Sequence, residues 1–120
     1  VTLQMIQEAQ ESLKGIARKT PLENANRLGE NIYISLEPQL TGAFKIRGAY
    51  NKIRSLTPEE ASHGVIACSA GNHAQGIALS ATKLGIKSVI CMPEGAPISK
   101  VEATRNYGAE VVLVPGVYDD

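Results

Sequence analysis

Cysteine is scarce. The two in this chain, Cys68 and Cys91, each close an apolar run and do not form a close pair in sequence, so neither a disulfide framework nor a zinc site is suggested, and no metal is expected. They read as two buried thiols in a reducing cytoplasm. A surplus of charge is lacking too: Lys and Arg number 12, Asp and Glu 12. Such a balance gives no field to gather a polyanion, which argues against nucleic acid as a partner. No apolar run is long enough to span a bilayer, and the first residues, with Glu8, Glu11 and several Gln, do not resemble a leader. A soluble cytoplasmic protein with no membrane partner is expected. Also missing are the dinucleotide pattern G-x-G-x-x-G and the phosphate loop G-x-x-x-x-G-K-[ST], which disfavours a nicotinamide or nucleoside-triphosphate enzyme.

What is present suffices for one core of modest size: 120 residues, 43% of them apolar. Val1 is not an initiator, and the final Gly116-Val117-Tyr118-Asp119-Asp120 offers a turn and acidic residues that suit the start of another helix. A fragment of a longer protein is expected.

Periodicity divides the chain into elements. Leu3, Ile6, Leu13 and Ile16 fall on one helical face until Thr20-Pro21 stops the pattern, which predicts an amphipathic helix over about 2–16. Asn31 to Glu37 is β-branched and aromatic before Pro38 and predicts a short strand. From Ala43 onward Ile46, Ala49, Tyr50 and Ile53 recur at helical spacing, with Thr41 a candidate cap and Thr57-Pro58 the end. Lys45 lies in the first turn of that helix. Three apolar runs follow, 64–68, 87–92 and 110–114, separated by helical stretches over about 74–84 and 98–107. Strands alternating with helices predict an α/β fold: an open parallel sheet with right-handed crossovers and helices on both faces. Ligands of such sheets sit beyond the carboxyl ends of the strands, which directs attention to Ser69–Gln75 and Met92–Ser99.

The first of these loops, Ser69-Ala70-Gly71-Asn72-His73-Ala74-Gln75-Gly76, gathers hydroxyl, amide, imidazole and backbone N–H groups at a strand-to-helix turn. The positive end of the helix dipole favours an anion there, and Gly71 allows close backbone approach. The plainer alternative is that Ser69 and Asn72 merely cap the helix. Lys45 has its own plain alternative, a solvated surface lysine. The helix start disfavours an ammonium, however, which would make a lysine held there a better imine former. Arg47 reads as a surface or packing residue, and His63, in a turn, has no assigned role.

Two separated motifs carry a family resemblance. Leu40-Thr41-Gly42-Ala43-Phe44-Lys45-Ile46-Arg47-Gly48-Ala49-Tyr50-Asn51-Lys52 and Ala67-Cys68-Ser69-Ala70-Gly71-Asn72-His73-Ala74-Gln75-Gly76, followed by Met92-Pro93-Glu94-Gly95-Ala96-Pro97 with Lys100-Val101, resemble the fold-type II pyridoxal-phosphate enzymes. The threonine and serine dehydratases within that family, of catabolic type, are the nearest in pattern. The implied fold is that of the tryptophan synthase β-like enzymes, of which this is the N-terminal part only. Residues 1–40 would belong to the larger domain and 41–120 would form most of the smaller, mobile one, with the remainder of the catalytic domain missing.

The resemblance also implies roles. Lys45 would be the catalytic lysine that holds pyridoxal 5′-phosphate as a Schiff base, Phe44 would pack near the cofactor, and Asn72 would bond its 3′ oxygen. Ser69, Gly71, Asn72 and His73 would receive the substrate carboxylate. The implied reaction is α,β-elimination of L-threonine, or L-serine, to 2-oxobutanoate or pyruvate and ammonia, by a homo-oligomer, dimer or tetramer. Ala43 departs from the serine many dehydratases carry before the Phe-Lys pair. Ala70 stands where serine racemases carry a serine that acts as an acid, so racemase, or another lyase of this fold type, is the second reading. The third is a non-catalytic folding or oligomerisation fragment, since the family's glycine-rich phosphate loop and pyridine-nitrogen partner are expected further along the chain.

Overall fold

The computed structural model describes residues 1–116; the further helix start expected at the chain's end falls on the last four residues, outside the described ones. Helix α1 runs Leu3–Ser12, and the Thr2 hydroxyl caps it by accepting from Met5 N at 3.2 Å. It ends before residue 16. Leu13 closes it and Gly15 turns into the left-handed region at φ 76°, which glycine adopts without steric cost. Leu13 and Ile16 therefore sit in a turn.

Strand β2, Tyr33–Ser35, is the centre of the predicted run and pairs antiparallel with β1, Leu22–Asn24. β1 escaped the sequence reading because three residues after Pro21 show no alternation. Helix α2 spans Lys45–Arg54 and buries Ile46, Ala49 and Ile53, as the spacing requires. Thr41 does not cap it: its hydroxyl donates to Ala43 O at 3.4 Å, and Phe44 holds the N-cap position with no side-chain bond. Thr57 instead caps a short unpredicted helix, α3 (Pro58–Ser62), in a reciprocal box with Glu60.

Next come β3 (Val65–Cys68), α4 (Asn72–Lys83), β4 (Ser88–Pro93), α5 (Ile98–Asn106) and β5 (Glu110–Val114). The three strands form a parallel sheet in the order β3-β4-β5, with Ile66 opposite Val89 and Cys91 opposite Val112. The fold is therefore α/β with an open parallel sheet. The order runs in one direction, so right-handed crossovers bring α4 and α5 to the same face. There Ala74 and Ala78 of α4, Ile90 and Met92 of β4, Val101 of α5 and Ala109 make the core. Burying Ile90 and Met92 completely contributes roughly 1.5–3 kcal/mol each. The other face remains open among the described residues, with Ile66 73% exposed.

That open face carries both cysteines. Cys68 and Cys91 are register partners on adjacent strands, the first exposed and the second half-buried, so the expectation of two buried, separated thiols is corrected. Burial pushes the Cys91 thiol up, and Cys68 beside it adds to the shift. Distance in sequence hid what parallel pairing brings side by side.

The N-terminal segment is tied to α2 and the loop before it. Ser12 Oγ donates to Asn51 Oδ1 at 2.9 Å. Buried Gln39 clasps the Arg18 backbone at both ends, accepting from its N–H at 2.6 Å and donating to its carbonyl at 3.1 Å. Arg47 Nε donates to Glu37 Oε1 at 2.5 Å and Nη2 to Arg18 O at 3.3 Å. Arg47, read from sequence as a surface or packing residue, thus joins Glu37 to the Arg18 backbone, and its guanidinium holds the Glu37 carboxyl below the ordinary range.

Candidate active site

Strand β3 delivers the chain to Ser69, whose hydroxyl is buried and accepts from Gly71 N at 3.4 Å. Gly71 takes the N-cap position of α4 and makes no side-chain cap. Neither Ser69 nor Asn72 caps the helix, so the plain capping alternative does not account for this loop. Asn72 and His73 open α4 with exposed side chains.

Helix starts fall into two groups. α1 and α3 are capped by Thr2 and Thr57, and α3 adds Glu59 and Glu60 in its first turn. α2, α4 and α5 have no side-chain cap and no acidic residue in the first turn. The first N–H groups of a helix have no carbonyl within it to bond, so these three starts present donors and the positive dipole end to whatever lies before them.

α2 and α4 are held unusually close. A Cβ on Gly76 would lie 3.1 Å from the Lys45 carbonyl carbon and 3.2 Å from Ile46 N. Gly76 is one turn along α4 from Asn72, on the same face, and this contact sets the Lys45 backbone beside that face. Gly76 ends the second family-like motif, where no role for it was legible from sequence. The available signal was a glycine inside a helix, which costs ~1 kcal/mol relative to alanine and usually has a packing reason.

Lys45 is the first residue of α2 and is exposed, as is Phe44. Lys45 Nζ lies 4.9 Å from the centroid of the Phe44 ring, a cation–π arrangement that restrains the amine. From the third element, Lys100 Nζ on α5 donates to Asn72 Oδ1 at 3.5 Å; sequence reasoning gave this lysine no role. The structure therefore brings Lys45, Asn72 and Lys100 to neighbouring helix starts, with Ser69 and Gly71 in the loop between β3 and α4 and His73 beside Asn72 in the first turn of α4. His63 lies apart, at the end of α3.

A groove of about 620 Å³ between α1 and the 17–20 segment is lined by Ile6, Leu13, Arg18 and Arg47 among others. Lys45 and Asn72 are not among its lining residues. Its Arg47 is already engaged by Glu37, so the uncapped helix starts are the better candidate site. No cluster of potential metal ligands occurs among the described residues, and none of their helices is long and apolar enough to cross a membrane.

Comparison with known proteins gives the family and the fold. Residues 13–120 match the family described as pyridoxal-phosphate dependent enzyme. The whole chain is 50% identical to part of an L-threonine ammonia-lyase of Thermotoga maritima, covering 31% of that protein. Among solved structures, threonine deaminase isoform 2 of Solanum lycopersicum superposes with a TM-score of 0.89 at 42% identity, over 97% of this chain and 36% of that one. Maize serine racemase superposes at 0.93 with 35% identity, over 100% of this chain and 38% of that one. The chain thus spans about a third of the length of the relatives it matches.

Proposed function

Since the chain belongs to the pyridoxal-phosphate dependent enzyme family, we propose that it carries the cofactor anchor and substrate-carboxylate site of a lyase that converts L-threonine, and L-serine, to a 2-oxo acid and ammonia. The supporting observation is Lys45, first residue of an uncapped helix whose backbone meets Gly76, one turn from Asn72. The residues present suit such a group: a primary amine at Lys45, an amide at Asn72 and a close-packed glycine contact between their helices.

In this reading Lys45 would hold the cofactor through its primary amine and would accept the proton from the substrate Cα. Bound pyridoxal phosphate supplies the electron sink for that step. Ser69, Gly71, Asn72 and His73 hold the carboxylate at the start of α4, and Phe44 packs beside the cofactor. The Cβ hydroxyl leaves as water; the released enamine becomes the oxo acid and ammonia on hydrolysis, which returns the water.

Serine racemase is the second reading, motivated by the superposition on the maize enzyme. It needs an acid at the position of Ala70, whose methyl group has no proton to give, and this favours elimination. We further assign residues 1–40 to the larger domain of the whole enzyme and 41–120 to the smaller one, in a cytoplasmic homo-oligomer. Borohydride reduction of the full-length protein, peptide mapping and assay of both amino acids test the proposal. A pyridoxyl group on Lys45 and oxo-acid release are expected. An adduct elsewhere, or D-serine as the main product, refutes it.

A further inference from the structure

Lys100 is the third residue of α5, 28 positions along the chain from the Asn72 oxygen it reaches. Helix stability does not explain it. The first turn of α5 contains no acid to pair with it, and a cation near a helix N-terminus opposes the dipole. Its backbone is nevertheless firmly placed: the fully buried Thr104 donates Oγ1 to Lys100 O at 2.9 Å, and Val101 beside it belongs to the core.

An asparagine amide has a donor end and an acceptor end, and its neighbours decide which way each points. An ammonium only donates, so Lys100 can engage only Oδ1. With Oδ1 so engaged, at the outer limit of hydrogen-bond length, Nδ2 is the end directed away from α5.

We propose that Lys100 is a positioning residue: it fixes the Asn72 amide so that Nδ2 donates to an anionic ring oxygen of the cofactor held on Lys45. This rests on the cofactor reading given above. Lys100 acts through Asn72 and touches no reacting atom.

The test uses the full-length protein with its cofactor. Borohydride mapping of the wild type first establishes the adduct on Lys45. Cofactor affinity, by fluorescence, and the pH midpoint of the cofactor's visible absorbance are then measured for Lys100→Met, Lys100→Arg, Asn72→Ala and the double variant Asn72→Ala/Lys100→Met. Lys100→Met should weaken cofactor binding about tenfold, the scale of one charge-assisted bond, and move the midpoint to higher pH, because an anionic oxygen that loses a well-aimed Asn72 donor favours the protonated form. Lys100→Arg should keep the midpoint. In the Asn72→Ala background the methionine should change affinity by less than about twofold, since a residue acting through Asn72 has nothing left to act on. An unmoved affinity and midpoint in Lys100→Met overturn the proposal, and so does a methionine effect that persists in full without Asn72. No adduct on Lys45 in the wild type overturns the cofactor reading beneath it, whereas an adduct with unaltered Lys100→Met overturns only the role of Lys100.

Discussion

Gly76→Ala sets two effects of known sign against each other. Alanine gains about 1 kcal/mol over glycine inside a helix. Its Cβ, however, would meet the Lys45 carbonyl carbon at 3.1 Å, Ile46 N at 3.2 Å and Lys45 Cβ at 3.3 Å. Two of these atoms are backbone, and Ile46 beside them is completely buried, so α2 cannot yield by rotating one flexible side chain. Overpacking of this kind costs roughly 1–3 kcal/mol, leaving a net loss of about 0–2 kcal/mol. The larger consequence is displacement of Lys45 by several tenths of an ångström. A shift of about 1 Å at a reacting group can cost 100-fold in rate, so a loss on the order of tenfold in kcat is expected. Gly48→Ala is the internal control. Gly48 lies within α2, yet a Cβ there meets nothing within 4 Å, so it should stabilise by about 0.5–1 kcal/mol with turnover intact. Denaturant unfolding and steady-state turnover of both full-length variants provide the comparison. If Gly76→Ala gains stability like Gly48→Ala and keeps full turnover, the tight α2–α4 contact does not position Lys45.

Lys45→Ala should take up no pyridoxyl group on reduction and lose on the order of 1,000-fold or more in turnover, with wild-type circular dichroism showing that the fold persists. Ser88 Oγ is buried with no hydrogen-bond partner among the described residues, a condition that costs about 1–3 kcal/mol; Ser88→Ala should therefore be neutral or stabilising in a thermal melt, and a clear drop in melting temperature would mean the hydroxyl has a partner. Arg47 holds the Glu37 carboxyl below its ordinary value of 4.5, and Thr57 does the same for Glu60. Both folded values are depressed, so the stabilisation is complete above about pH 4.5 and fades as pH falls through the lowered values. Between neutrality and that acid range the wild type should lose more stability than Glu37→Gln, and parallel acid titrations would contradict the Arg47 pairing.

Much of the fold was legible because short-range rules encode it. The runs 64–68, 87–92 and 110–114 are apolar strand formers separated by helical spacing, and they became β3, β4 and β5 within a residue or two. Ile46, Ala49 and Ile53 announced the buried face of α2 by their period alone. The candidate loop was legible for a similar reason: polar groups and a glycine follow an apolar strand. Boundaries set by caps were less so. Thr41 looked like a cap, but its hydroxyl turned to Ala43 O, and Gly15 ended α1 earlier than its apolar stripe suggested.

By itself, then, the sequence determined the order of strands and helices, the parallel sheet and the two motifs that mark the family, since each depends on neighbours a few positions apart. Only the tertiary structure decided that Gly76 meets the Lys45 backbone, that Lys100 reaches Asn72, and that Cys68 lies beside Cys91. Those contacts join residues 23 or more positions apart. They exist because crossovers fold successive strands and helices against one another, a relation that no local period records.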